Sequence, residues 1–140
     1  MNKVPVADRL EIQEVVARYA FRCDTKNYGQ VAALFTEDGT WDETVIGMPL
    51  CEGRAAIHNF FCGMADSSLE FLIHLGGNHQ LTSYTGHSAS GTSHLHVKGI
   101  FGGRSIEILG YYADEYEKYH DEWLLRHRRL VEIAPSVGLS

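Results

Sequence analysis

Leu69-Glu70-Phe71-Leu72-Ile73-His74-Leu75-Gly76-Gly77-Asn78 is where the chain changes character. Before it, apolar residues recur at helical spacing. After it come long β-rich runs, broken by reversals at His87, Gly102-Gly103 and His120-Asp121. Those reversals predict strands near 70–84, 88–100, 104–118 and 122–132. Helices followed by long antiparallel strands define an α+β fold, with the helices packed on one face of a curved sheet. Side chains alternate across a strand, so His74 shares a face with Leu72 and Gly76, while Phe71, Ile73 and Leu75 take the other. Both faces are apolar, which predicts that both are covered. His74 is then an imidazole among hydrocarbon, and its ring nitrogens need partners. A backbone carbonyl would make it a structural histidine. A carboxylate would fix its tautomer and make it a competent base near neutrality.

The first half supplies three helices. Asp8 and Glu11 have the spacing of a capping box, and Ile12, Val15, Val16, Tyr19, Ala20 and Cys23 follow as one apolar stripe. Asp24 stands at the last turn, on the stripe's border. A carboxylate there opposes the helix dipole, so helix stability alone does not select it. It is either a solvated acid opening a loop or a partner for something on the sheet. A shorter helix fits Gln30 to Phe35, Thr36-Glu37-Asp38-Gly39 reads as a turn, and Thr40 to Ile46 reads as a strand. Gly53 precedes a third helix carrying Ala56, Ile57, Phe60, Phe61 and Met64. Residues 134–140, with Pro135 and Gly138, read as a loose tail.

Composition narrows the function. The 140 residues suffice for a single domain, with 44% hydrophobic and 21% charged residues and a net charge of −6. Twelve basic against eighteen acidic residues argue against a nucleic-acid surface or a polybasic membrane footprint. Cys23, Cys51 and Cys62 have no CxxC spacing, and free thiols in a reducing cytoplasm are the expectation. Cys51 and Cys62 have no evident basic neighbour and read as inert. His94 and His96 form an HxH pair that could seat a metal, but no further ligands stand at suitable positions, so neither metal nor cofactor is expected. His79, His87, His120 and His127 read as loop or surface residues.

Several segments together resemble the SnoaL-like branch of the fold shared by nuclear transport factor 2, ketosteroid isomerase and scytalone dehydratase. They are Ile12-Gln13 through Asp24, Leu34 through Trp41, Gly53-Arg54-Ala55-Ala56-Ile57 before Phe60-Phe61, His74 through Asn78, and Tyr112 to Tyr116 with Trp123. The resemblance covers about residues 7–133 and implies a cone-shaped α+β barrel, in which three N-terminal helices cover a strongly curved, mostly antiparallel sheet. It is nearest the dehydratases and dehydrochlorinases, in which an Asp ending the first helix orients a proton-abstracting His on the sheet. Asp24 and His74 match those positions.

Tyr19 matches a catalytic Tyr of the bile-acid dehydratase pattern, where the dehydrochlorinase pattern has Lys, so the likeness leans towards loss of water. Arg128 matches an active-site Arg of the dehydrochlorinase pattern, although a basic run such as Arg126 to Arg129 on a last strand is commonly solvated or bridged to Glu107, Asp114 or Glu122. The likeness points Tyr112, sharing parity with Ile106 and Ile108, into an apolar cavity. Its expected wall also includes Val16, Ala20, Phe35, Trp41, Phe60, Phe61, Met64, Leu72, Leu95, Val97 and Ile108. It leaves His94 and His96 on the outer face, towards solvent or a second subunit.

The implied protein is a cofactor-independent lyase of the dehydratase type, acting on a small hydrophobic cyclic molecule. An isomerase or cyclase using the same base is an alternative, as is a non-catalytic ligand carrier or dioxygenase small subunit. An apolar outer sheet face suggests a homo-oligomer, trimer or dimer.

Overall fold

The computed structural model of the chain describes every residue except 2 and 140. Helix α1 (Val6–Asp24) buries Asp8, Ile12, Val15, Tyr19 and Cys23 along one line. The i, i+4, i+7 rhythm lays that line against the sheet, leaving Val6, Leu10 and Phe21 outward. The helix opens after Pro5 without a side-chain cap, three residues before the expected cap at Asp8. That shift replaces the predicted capping box and turns Asp8 inward. Its carboxylate accepts hydrogen bonds from Trp123 Nε1 (3.0 Å), Lys118 Nζ (3.3 Å) and the Tyr84 hydroxyl.

The expected second helix is instead a pair of 3-10 turns, Tyr28–Gln30 and Ala32–Leu34. Strand β1 (Phe35–Asp42) follows. The supposed turn Thr36-Glu37-Asp38-Gly39 lies inside it, absorbed where the register against the last strand slips between Phe35 and Thr40. Strand β1 also stops earlier than expected. The Asp42 carboxylate accepts from the backbone N–H and hydroxyl of Thr44 (3.0 and 2.7 Å), starting a 3-10 turn at Thr44–Ile46. After β2 (Cys51–Glu52), helix α2 (Arg54–Gly63) packs on β1 and on the 3-10 turns.

The remaining strands are β3 (Leu69–Tyr84), β4 (Ser88–Phe101), β5 (Arg104–Tyr119) and β6 (Glu122–Val137). The sheet order is β2-β1-β6-β5-β4-β3, antiparallel except for the β1/β6 pair. It curls without closing. Breaks in the β3/β4 register lie at Leu69/Phe71, Gly77/Gln80 and Leu81/Ser83, and Asn78 takes a left-handed φ of 51° at the second. Each bulge bends the strand. Glycines allow the close approaches this needs: a Cβ on Gly99 would lie 2.3 Å from the Phe71 carbonyl oxygen, and one on Gly110 2.2 Å from that of Val131.

Two expectations about the sheet are corrected. Phe71, Ile73 and Leu75 are 46%, 43% and 54% exposed, because nothing in the single chain covers the outer face. Residues 134–137 are the end of β6 rather than a loose tail. Ala134 pairs with Leu109 and Val137 with Glu107, and Pro135 falls at the register shift between them, where no ladder N–H is demanded. Gly138, at a φ of 80°, then turns Leu139 into the interior. Among the described residues no helix is long and apolar enough to cross a membrane.

Asp8 joins α1 to β3, β5 and β6, and its three donors hold its carboxyl below the usual carboxylate range, the Tyr84 bond contributing most. Asp8→Asn should lower unfolding stability by about 1–3 kcal/mol at pH 7, read from denaturant midpoints. A depressed folded-state value means that the wild-type advantage is complete above the unfolded value and is lost as pH falls through the folded one. The two stability curves should therefore converge in acid.

Candidate active site

The curl of the sheet under α1 and α2 encloses a cavity of about 270 Å³. Its apolar wall includes Trp41, Phe60, Phe61, Met64, Leu72, Val97 and Ile108, as expected, joined by Ile46, Met48, Phe101, Ile106 and Leu139. Polar groups are few: Tyr19, Tyr28, Glu43, Ser67, His74 and Arg104, with the Cys23 thiol. A dry wall with a few convergent polar groups is the usual form of a small-molecule site.

His74 reaches this cavity from β3, and Asp24 holds it there. Asp24 Oδ1 lies 2.5 Å from His74 Nδ1, and Asp24 Oδ2 accepts the His74 backbone N–H at 3.0 Å. Strand β3 is an edge strand, so that N–H has no sheet partner and the helix end supplies one. The side chains are 8% and 19% exposed, His74 the deeper. With Nδ1 committed to Asp24, Nε2 is the nitrogen left for a ligand. Tyr19 stands beside this pair, its ring edge-on to the imidazole at 6.1 Å between centroids. Five helical residues separate Tyr19 from Asp24, about 140° of rotation. The imidazole spans that angle by touching both.

Glu43 is the site residue that sequence reading missed. It follows β1 directly, and the turn begun by Asp42 carries its side chain into the cavity. Its Oε2 accepts the Tyr19 hydroxyl at 3.5 Å, and that hydroxyl accepts Trp41 Nε1–H at 2.8 Å. Burial raises the Glu43 carboxyl to about 7, against the opposing pull of His74, Arg128 and the hydroxyls of Tyr19 and Tyr112. The same burial pushes the Tyr19 and Cys23 groups well up, so both remain protonated.

Six residues expected at the site or in its wall lie outside the cavity wall. Val97 and Ile108 are opposite one another in the β4/β5 register and line it. The next rows along the same inner face bring Leu95 opposite Gly110, Ser93 opposite Tyr112 and Gly91 opposite Asp114, where the curl has narrowed and side chains fill it. Leu95, Tyr112 and Phe35, the first residue of β1, are therefore core, Val16 of α1 packs against that core, and none of these, nor Ala20 of α1, borders the cavity. Arg128 is neither solvated nor exposed to a ligand. It binds Asp114 through Nε–Oδ1 (2.9 Å) and Nη2–Oδ2 (2.8 Å), both side chains being 0% exposed, and lies over the rings of Tyr19 (4.4 Å) and Tyr112 (3.8 Å).

The histidines expected on the surface divide. Tyr116 donates to Asp114 Oδ2 (2.9 Å), so His79 Nε2, 3.1 Å from the Tyr116 oxygen, is the donor in a half-buried chain. His127 is also half-buried, its Nδ1 hydrogen-bonded to the Thr40 hydroxyl across the β1/β6 pair. His94 and His96 do lie on the outer face, next to Asn78 (3.0 Å) and Glu107 (2.9 Å). Cys62 has a basic neighbour after all, since His58, one helical turn away, places Nε2 3.5 Å from its sulfur.

The Arg128–Asp114 pair closes the narrow end of the cone and supports Tyr19 from beneath. Asp114→Asn, which strands a buried guanidinium, should cost about 3–5 kcal/mol in urea unfolding. Asp114→Leu combined with Arg128→Met should recover part of that loss, since removing both charges removes the stranded one.

Comparison with known proteins bears on the fold. No curated protein matches the chain in sequence. Among solved structures, one from Novosphingobium aromaticivorans, provisionally named an aromatic ring hydroxylase, is 28% identical with a TM-score of 0.91, covering 97% of this chain and 96% of that one. A provisionally named scytalone dehydratase from the same organism is 18% identical (TM-score 0.83; 94% and 87% covered). The type-3 hexachlorocyclohexane dehydrochlorinase of Novosphingobium barchaimii is 20% identical (TM-score 0.80; 95% and 92% covered). The profile of the SnoaL-like domain matches residues 4–129, nearly the whole chain, and the chain belongs to the SnoaL-like family.

Proposed function

We propose that this protein is a cofactor-independent lyase of the dehydratase type, acting on a small hydrophobic cyclic molecule. The observation that carries this reading is the two-point grip of Asp24 on His74 at the wall of an apolar cavity. A carrier of apolar ligands has no use for an oriented imidazole inside its pocket. The fold likeness to structures named for scytalone dehydratase and for dehydrochlorinases adds support.

In this reading neutral His74 takes a proton through Nε2 from a carbon next to a carbonyl. Asp24 fixes the tautomer and stabilises the imidazolium that forms, as the aspartate does in a hydrolase triad. Tyr19, held by Trp41 and backed by the Arg128 guanidinium, lines the cavity beside His74, where its hydroxyl can exchange its long contact to Glu43 for a hydrogen bond to substrate oxygen. The aromatic wall excludes water and orients the rings of the substrate.

A cyclic β-hydroxy ketone, 3-hydroxyindanone, is a suitable probe. Asp24→Asn should reduce its elimination by about 10²–10⁴-fold and His74→Ala by at least as much, while thermal melting shows both variants folded. Wild-type rates in folded Asp24→Asn would overturn the reading.

A further inference from the structure

Four carboxylates of this chain are buried or nearly so, and three of them are well supplied. Asp8 has three donors, Asp24 has the ring and backbone of His74, and Asp114 has the Arg128 guanidinium and the Tyr116 hydroxyl. Glu43 stands apart. Among the described residues it has no ion pair, and the donors set against its carboxyl are two neutral phenols, the Tyr19 hydroxyl at 3.5 Å and the Tyr112 hydroxyl. Yet it is 8% exposed and lines the cavity. A buried carboxyl without a cation is stable as the neutral acid, and the neutral acid is a proton donor.

The surroundings agree from every side. Tyr19 and Cys23 face Glu43 from α1, His74 from β3, Tyr112 from β5 and Arg128 from β6. Both phenols and the thiol are uncharged, and Arg128, the arginine whose charge is felt at Glu43, is already bound bidentately by Asp114. Tyr19 separates the two groups that can move protons. Its hydroxyl meets Glu43, and its ring edge meets His74. Because Oε2 is engaged by that hydroxyl, Oε1 is the atom left to carry the proton.

We propose that Glu43 is the general acid that protonates a departing hydroxyl, paired across Tyr19 with His74 as the base. This rests on the dehydratase reading and deepens it, because it defines the substrate class: a small apolar alcohol whose hydroxyl sits β to a carbonyl. His74 Nε2 takes the proton from the carbon between them, and the C–H electron pair forms the new C=C bond. The C–O bond breaks with its electron pair on oxygen, which takes the Glu43 proton and leaves as water. The imidazolium then returns its proton through water to the Glu43 carboxylate, so alcohol becomes enone plus water with no oxidant or reductant. Hydroxide is a poor leaving group at neutral pH, so this acid is what separates loss of water from elimination of an ion that needs no proton. A carboxyl near 7 is also matched to that task at neutral pH.

The test uses two probes, 3-hydroxyindanone and indanone, which lacks a leaving group. Glu43→Gln should lower enone formation from 3-hydroxyindanone by about 10²–10⁴-fold while still exchanging the indanone C2 proton for deuterium in D2O, an exchange that His74→Ala abolishes. Wild-type turnover should fall as pH rises through about 7, and this limb should vanish from the residual activity of Glu43→Gln. Carbon-13 titration of the wild-type Glu43 carboxyl should show a midpoint near 7, independent of any turnover. Because a raised folded-state value makes stability fall as pH rises through it, Glu43→Gln should also melt above wild type at pH 8. Undiminished elimination in Glu43→Gln, loss of exchange together with elimination, or a midpoint in the ordinary carboxylate range would each overturn the proposal while leaving the Asp24–His74 base in place. Wild type that neither eliminates nor exchanges faster than His74→Ala would overturn the dehydratase reading itself, and this proposal with it.

Discussion

Asp24 binds one residue twice, once through the ring and once through the backbone, and the two bonds constrain different things. The backbone bond ties the end of α1 to the free edge of β3 and so fixes how the helix crosses the sheet. The ring bond fixes which face of the imidazole meets the cavity. A carboxylate at a helix C-terminus is unfavourable towards the helix dipole, and here two charge-assisted hydrogen bonds, each stronger than a neutral one, outweigh that. Helix placement and imidazole orientation are thus set by one side chain, and any motion of α1 against β3 would also turn His74 away.

The strand half of the fold was legible in the sequence because alternation and reversal are local signals. His87, Gly102-Gly103 and His120-Asp121 turn the chain where they were read to do so, and positive φ at Gly102, Gly103, His120 and Asp121 shows why. Asp24 and His74 were legible by resemblance, while helix and strand spacing alone left each open. Glu43 was not legible. Reading Thr40 to Ile46 as one strand singled out no acid in it, whereas Asp42 and Thr44 end the strand at a side-chain turn that carries Glu43 into the cavity. The Asp42-Glu43-Thr44 triplet carries that signal, since an Asp whose carboxylate can take the N–H two residues on is a turn former.

Parity has a second limit, visible in Tyr112, Leu95 and Arg128. It says which face of a sheet a residue occupies and not how far along a cone it lies. Val97 and Ile108 stand where the cone is wide enough to be empty, and Tyr112 stands where it has narrowed to the thickness of stacked side chains. The narrowing comes from bulges and glycines, whose effect is cumulative over several strands. No single stretch records it.

The narrow end in turn decides what the cavity can do. Arg128 brings a permanent positive charge near Tyr19 and Glu43, and unneutralised it would hold Glu43 as a carboxylate. Asp114 prevents this by taking two of the guanidinium's nitrogens, and the tyrosine rings take its faces. The charge that remains felt at Glu43 lowers its carboxyl less than burial raises it. Asp24 and Glu43 therefore sit in different surroundings: the first, behind His74, accepts from two donors and orients the imidazole, whereas the second lines the chamber with only two phenols against it and burial raising its carboxyl. Divergent environments for two carboxyl groups are how one pocket can hold a base and an acid at the same pH. In this protein the divergence rests on Asp114, a residue that never touches the cavity.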